Sequence, residues 1–369
     1  MFKKHNLLII SHEPLTSSLK ILYCIDDLKN DFNLKFLSLR KILYGEKIKY
    51  SDELSQEFID FSNFYNFYLF LNKFNPKNTS IILDNSSTHF SVILINYLLR
   101  KFKIFHILLY NSFISDKNSF KKLSVIDKLI YYLNKNNFKK FLIRKLRNPN
   151  YEAVFLSSRS KPFFNSRKHV PINNTLYNKM YKSEFSGDYV VFIDQGFPSH
   201  PDLFQYYNYR NNNQIEFINE YNRFFDHIEN TFNTSVVIAK HPKSPVSDNL
   251  FKNRKIYKNC TSELILNSRF VIAHFSLSVN VAILNYKPIL IIYNSEIQSI
   301  SENIFLQMKN LSKILDVDLI NIDLKKYQNI DLKINKEKYD TYINDYIVLD
   351  NKRTNYEIIR DTLIESIDQ

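Results

Sequence analysis

The strongest constraint on the fold is an alternation. Short apolar runs recur along the chain, each followed by a stretch with helical spacing. HNLLIIS (5–11), NLKFLSL (33–39), TSIILD (79–84), KIFHILL (103–109) and YEAVFLS (151–157) read as strands. A helical region over about 50–73, a helix over 89–101 and a basic helical stretch over 117–146 fall between them. Runs that stay apolar on both faces fit strands covered on both sides. Parallel neighbours also need crossovers, which are usually helices. The pattern therefore predicts successive βαβ units.

From 158 to 187 the pattern decays into polar residues with two prolines and a glycine, which marks a domain boundary. A second alternation follows. GDYVVFID (187–194), SVVIAK (235–240), RKIYK (254–258), RFVIAHF (269–275) and KPILIIY (287–293) read as strands. Residues 214–231, 261–268 (capped by Thr261 or Ser262) and 276–285 read as helices, and the tail from 298 as mostly helical. With 369 residues, 44% of them hydrophobic, the chain can build two cores. The expectation is an α/β protein of two Rossmann-like doubly wound domains facing a cleft. The first spans 1–175, the second 176–350, and a C-terminal helix spans 351–369.

A net charge of +13 suggests an anionic partner, or a drift toward lysine. The densest basic stretch, KKFLIRKLR at 139–147, has helical periodicity, as an amphipathic or simply solvated face. No nucleic-acid-binding signature is present, and basic residues are not clustered with stacking aromatics, so nucleic acid is not expected as a partner. Cys24 and Cys260 stand far apart, with neither disulfide nor metal spacing, which points to a reducing compartment. The N-terminal run LLII is too short for a signal core, and no run approaches a membrane span of ~20 apolar residues. The expected location is the cytoplasm, with peripheral attachment to the inner membrane as a variant.

In open parallel sheets, ligands bind beyond the carboxyl ends of the strands. Three strand ends in the second half carry chemistry. FIDQGFPSHPDL (192–203) ends a strand in Asp194, Gln195 and Gly196, one of three glycines, suited to a positive φ or a close backbone approach. SVVIAKHPKS (235–244) ends in Lys240, His241, Pro242 and Lys243. Pro242 holds His241 out of helical geometry, and the two lysines add positive potential. VIAHFSLSVNVAILN (271–285) ends in His274, with Ser276 and Ser278 at a helix start. Such hydroxyls either cap the helix or hold an anion. Together the three read as a cationic, hydroxyl-rich rim suited to a nucleotide phosphate. No phosphate-binding P-loop or dinucleotide fingerprint occurs. Asp316-Val317-Asp318 spells DxD but follows a helical run, so it reads as a surface pair, and no metal is expected.

A strand ending in His-Pro, followed one unit later by a strand and a serine-rich helix start, resembles bacterial GT-B glycosyltransferases of the sialyltransferase and Kdo-transferase kind. Residues 188–293 resemble surface-polysaccharide transferases. The resemblance implies that His241 and Pro242 contact the phosphate of a CMP-linked donor, and that Ser276 and Ser278 bind the same phosphate. It also implies a general-base carboxylate in the first domain, in an acidic motif followed by Gly. No such motif exists here. The candidates for the base are Asp84, after TSIIL, with Asn85, Ser86, Ser87 and His89 nearby; Glu13, with His12 beside it; and Asp194.

The function expected is an inverting, metal-independent glycosyltransferase without a cofactor. It would move a sialic-acid-like or Kdo-like residue from a CMP donor onto an oligosaccharide or lipid-linked acceptor of a capsule, O-antigen or lipooligosaccharide. A UDP-, GDP- or dTDP-sugar is the variant within that class. A catalytically silent scaffold and a nucleic-acid-binding basic protein are the readings outside it.

Overall fold

Two parallel sheets organise the chain. The computed structural model describes residues 4–368 apart from 46–52, 85–90, 109–149, 158–165, 178–184, 186, 201–202, 204–208, 210–212, 243, 301, 325–326 and 328–329. The first sheet contains β1 (Asn6–Ser11), β2 (Asn33–Ser38), β3 (Ile59–Asp60), β4 (Thr79–Leu83), β5 (Lys103–Leu108), β6 (Tyr151–Leu156) and β7 (Ser166–Pro171). The second contains β8 (Tyr189–Ile193), β9 (Ser235–Lys240), β10 (Ile256–Lys258), β11 (Val271–Ala273), β12 (Ile289–Tyr293) and β13 (Leu319–Asn321). Their spatial orders are β3-β2-β1-β4-β5-β6-β7 and β10-β9-β8-β11-β12-β13. Every described pairing within them is parallel.

Both sheets therefore run outward from a first strand and then reverse. The reversal falls between β1 and β4 in one sheet and between β8 and β11 in the other. At such a point consecutive crossovers pass to opposite faces of the sheet. A crevice then opens at the carboxyl ends of the two strands, where ligands bind in doubly wound folds. The central strands are buried on both faces. In β1, Leu7 and Ile9 join one core, shared with Ile25, Leu28 and Phe36, while Leu8 and Ile10 join another, shared with Phe67, Leu71, Ile95 and Leu99. The second sheet has one continuous core around Val190–Phe192, Phe224, Phe225 and Ile289–Ile292.

The chain divides into two compact units, one of them Leu176–Val348. The segment from Leu349 on belongs with the first unit. Its helix, Asn355–Ile367, begins at a capping box made by Thr354 and Glu357. Ile358, Ile359 and Leu363 of that helix enter the β1 core. Asn173 anchors the segment by accepting from the N–H groups of Leu349 and Asp350 at 2.8 and 2.9 Å and exchanging bonds with Asn355.

Elements at the sheet edges depart from the expectation. Within 50–73, the described residues hold a short strand, β3, and a helix only over Phe64–Leu71. β7 lies in the stretch read as a polar boundary. As an edge strand it exposes Arg167, Lys168 and His169, so it carries no apolar run. β13 is three residues long and was hidden in the tail read as helical. The basic stretch 139–147 lies outside the described residues. Among the described residues, no helix is long and apolar enough to cross a membrane.

Candidate functional site

The reversal point of the first sheet gathers four polar residues. Ser11 ends β1, His12 and Glu13 follow it, and Asp84 follows β4, the strand paired with β1. The Asp84 N–H donates to the Ile10 carbonyl at 2.8 Å, which carries the ladder one residue past the strand. His12 Nδ1 lies 2.7 Å from Asp84 Oδ2, and the Ser11 hydroxyl donates to the same oxygen at 3.0 Å. A carboxylate only accepts, so Nδ1 carries a proton. The His12 and Asp84 side chains are 10% and 13% exposed, so both are largely out of solvent yet reachable. Glu13 is more open, with Oε1 3.8 Å from His12 Nε2 and its N–H held by Ser11. Tyr44 packs edge-on against the His12 ring. On the next strand, buried His106 donates from Nδ1 to the Leu83 carbonyl at 2.7 Å and stacks on Tyr151, fixing the strand end that precedes Asp84.

The reversal point of the second sheet is closed by its own side chains. Gln195, after β8, accepts from the Phe275 N–H at 3.0 Å and donates back to the Phe275 carbonyl. This amide bridge joins the ends of β8 and β11. His274 is fully buried, which corrects its expected role at the rim. Its Nδ1 donates to the Ile292 carbonyl at 2.7 Å, and its Nε2 is 3.0 Å from the Tyr221 hydroxyl. Phe192 and Phe197 pack edge-on against the ring. Burial pushes its pKa down to about 4, so it is a neutral core histidine that cannot meet an anion.

Asp194 is also corrected. It is buried, and accepts from the Gly196 N–H at 2.8 Å and from the His241 N–H at 3.3 Å. Desolvation pushes its carboxyl up, partly offset by those donors. Oδ1 closes the β8 turn on Gly196 and Oδ2 ties that turn to the β9 turn, so Asp194 acts as a clamp rather than as a base. Gly196 has φ +69°, and a Cβ there would meet His200 Cδ2 at 3.1 Å and Ser244 Cα at 3.3 Å. The close approach is to the His-Pro loop itself.

His241 is half-buried at the end of β9. Its ring meets that of His200 edge-on, with centroids 4.8 Å apart. His200 lies in FPSHPDL, and sequence reasoning passed over it. The signal available was a second His-Pro pair one turn after the Asp194 strand end. Lys240 is turned inward, with its ammonium 2.5 Å from the Val246 carbonyl and paired with Asp248. It braces the loop from within, a correction to its expected place beside a phosphate. Pro242 is exposed, and Lys243 lies outside the described residues. The Ser276 hydroxyl accepts from the Ser278 N–H at 3.3 Å, a local turn bond, while Ser278 precedes the helix Val279–Leu284 without capping it through its side chain. Both serines are half-buried at the carboxyl end of β11.

Asp316 and Asp318 precede β13, at the amino end of a parallel edge strand and so at the other end of the sheet from these carboxyl strand ends, where they accept from Asn335 and from the Asp331 N–H. Among the described residues no cluster of three or more His, Cys, Asp or Glu could hold a metal ion.

No family model matches the sequence, and no curated protein matches it. Solved structures do match in fold. A Phytolacca americana UGT2 complexed with UDP-2-fluoro-glucose and pterostilbene aligns with a TM-score of 0.53 at 9% identity, over 99% of this chain and 100% of that one. The chain has the GT-B fold. A variant of the wall teichoic acid polymerase TagF aligns at 0.51 with 14% identity, over 99% of this chain and 89% of that one. The spinosyn forosaminyltransferase SpnP aligns at 0.50 with 12% identity, over 99% and 100%. At such identities the likeness shows the GT-B architecture, and the chemistry must be argued from this chain's own residues.

Proposed function

We propose that this protein is an inverting glycosyltransferase that moves a sugar from a nucleotide donor onto a glycan hydroxyl. The observation that carries the reading is the His12–Asp84 pair, 2.7 Å apart at the reversal point of the first sheet of a GT-B fold. Asp84 holds the His12 ring by Nδ1–H, so Nε2 is the base and Asp84 positions it. The acceptor O–H attacks the anomeric carbon and its proton passes to Nε2. The bond from that carbon to the donor oxygen breaks, and the nucleotide leaves with the electron pair. Asp84 then stabilises the imidazolium. The base is thus His12, with Asp84 and Glu13 beside it.

His241, Ser276 and Ser278, after β9 and β11, are assigned to the donor phosphate. The His-Pro and serine resemblance favours a CMP-linked, sialic-acid-like or Kdo-like sugar on a bacterial surface glycan. A UDP-sugar is the second reading, favoured by the UDP-2-fluoro-glucose bound to one structural neighbour. The Asp316/Asp318 pair precedes β13, at the amino end of the parallel sheet, away from the carboxyl strand ends assigned to the donor.

Thermal melting with CMP, UDP, GDP and dTDP tests the donor. One nucleotide is expected to stabilise the protein by about 2.7 kcal/mol at a hundred times its Kd. CMP supports the first reading and UDP the second. If none shifts the melting temperature, the transferase reading fails.

A further inference from the structure

Two helices on one face of the first sheet carry an unusual outer surface. Phe64–Leu71 leads into β4 and Ser91–Leu99 into β5. Their inner residues Phe67, Leu71, Ile95 and Leu99 share one core, so the helices lie in one layer. Their outer residues are Tyr65 (66% exposed), Tyr68, Leu69, Leu94 and Tyr97 (61%). These are five of the twelve exposed large hydrophobic residues among the described residues. The 19-residue helix Gln214–Phe232 contributes one, Ile215, so a chain-wide surplus of aromatics does not explain the concentration.

The charge around this surface is one-sided. Between Asp60 and Asp116 the only carboxylate in the sequence is Asp84, which is taken up by His12 and Ser11. The cations Lys73, Lys77, Arg100 and Lys101 are all exposed and follow the carboxyl ends of the two helices. Lys101 reaches Asn72 across the gap between them, and the Arg100 guanidinium sits 5.0 Å from the Tyr97 ring centroid. Tyrosines and leucines with a basic border match the headgroup region of an anionic bilayer. There the rings sit at the interface while the cations meet lipid phosphates.

We infer that the outer face of the helices Phe64–Leu71 and Ser91–Leu99 is a docking surface for a membrane rich in anionic phospholipid. The inference stands apart from the glycosyl-transfer reading, because it uses none of the residues placed in that chemistry.

Co-flotation of the full chain with vesicles tests it. The chain is expected to float with phosphatidylcholine vesicles containing about a third phosphatidylglycerol, to stay behind with phosphatidylcholine alone, and to release as salt is raised. Two variants separate the contributions. Leu69→Glu with Tyr97→Glu places charge in the apolar face. Gln at Lys73, Lys77, Arg100 and Lys101 removes the basic border. Each is expected to weaken vesicle binding on the order of tenfold or more, with melting temperature unchanged because all six side chains are exposed. Absence of vesicle binding by the natural chain overturns the inference. So does binding that survives both variants, which moves the contact to another basic stretch. A concentration-dependent dimer that Leu69→Glu with Tyr97→Glu disperses, without vesicle binding, assigns the face to a second copy and overturns it equally.

Discussion

The two sheets reverse their strand order at equivalent points, yet use those points in opposite ways. In the first, the strand ends at β1 and β4 present His12, Ser11 and Asp84, an ionisable set partly open to solvent. In the second, the ends of β8 and β11 are stitched by Gln195 to the Phe275 backbone and backed by buried, neutral His274. The same topology carries an ionisable cluster in one unit and a stitched seam in the other. Topology supplies the position, and the side chains decide whether it stays reactive. In the second unit the accessible chemistry flanks that seam, at His241 after β9, whose N–H Asp194 clamps, and at half-buried Ser276 and Ser278 after β11.

The contrast predicts rate effects at the first point and stability effects at the second. The largest effect is expected from Asp84→Asn or His12→Gln, which should cut kcat by about 10²–10⁴-fold while melting is little changed. A melting loss as large as the rate loss would make the pair structural. Next comes acid sensitivity at the sealed point. His274 is held down to about 4 by burial, against 6.5 in the unfolded chain. The unfolded state therefore binds the extra proton between those values. Stability is fully present above 6.5 and is lost as pH falls toward 4, by roughly 3 kcal/mol. Melting curves across that range should show this slope, and His274→Gln should flatten it.

Smaller again is Gln195→Ala, which leaves the Phe275 backbone groups unpaired and should destabilise by about 1–3 kcal/mol. Hydrogen exchange should report it at the ends of β8 and β11, with kcat near that of the natural protein. The smallest effect on the folded chain is expected from His241→Ala. It should leave the melting temperature without nucleotide unchanged and remove the nucleotide-induced shift. A retained shift would move the donor site elsewhere.

The legible parts of the fold were its interior strands. Runs such as NLLIIS and SVVIA are apolar on both faces because helices cover both sides of a parallel sheet, so each announces itself locally. β3, β7 and β13 announced nothing, because edge strands are short or polar and take their conformation from a neighbour. In the site, the strand-end positions of Asp84, Asp194, His241 and His274 were legible as positions, and their roles were not. His274 and Lys240 read as polar residues at a rim, yet one ring is buried among aromatics and the other side chain turns inward to Asp248. A sequence records that a polar residue follows a strand, but not which way it points.

What the sequence by itself determined was the list of interior strands and the class of fold. Those follow from burial patterns that each segment carries alone. What only the tertiary structure decided was pairing. His12 and Asp84 are separated by 71 intervening residues and two other strands in the chain, yet become neighbours because β4 is laid beside β1. Strand order is set by which crossovers pack on which face, a property of the whole sheet. A base and the carboxylate that orients it could therefore be recognised as a pair only once that order was known.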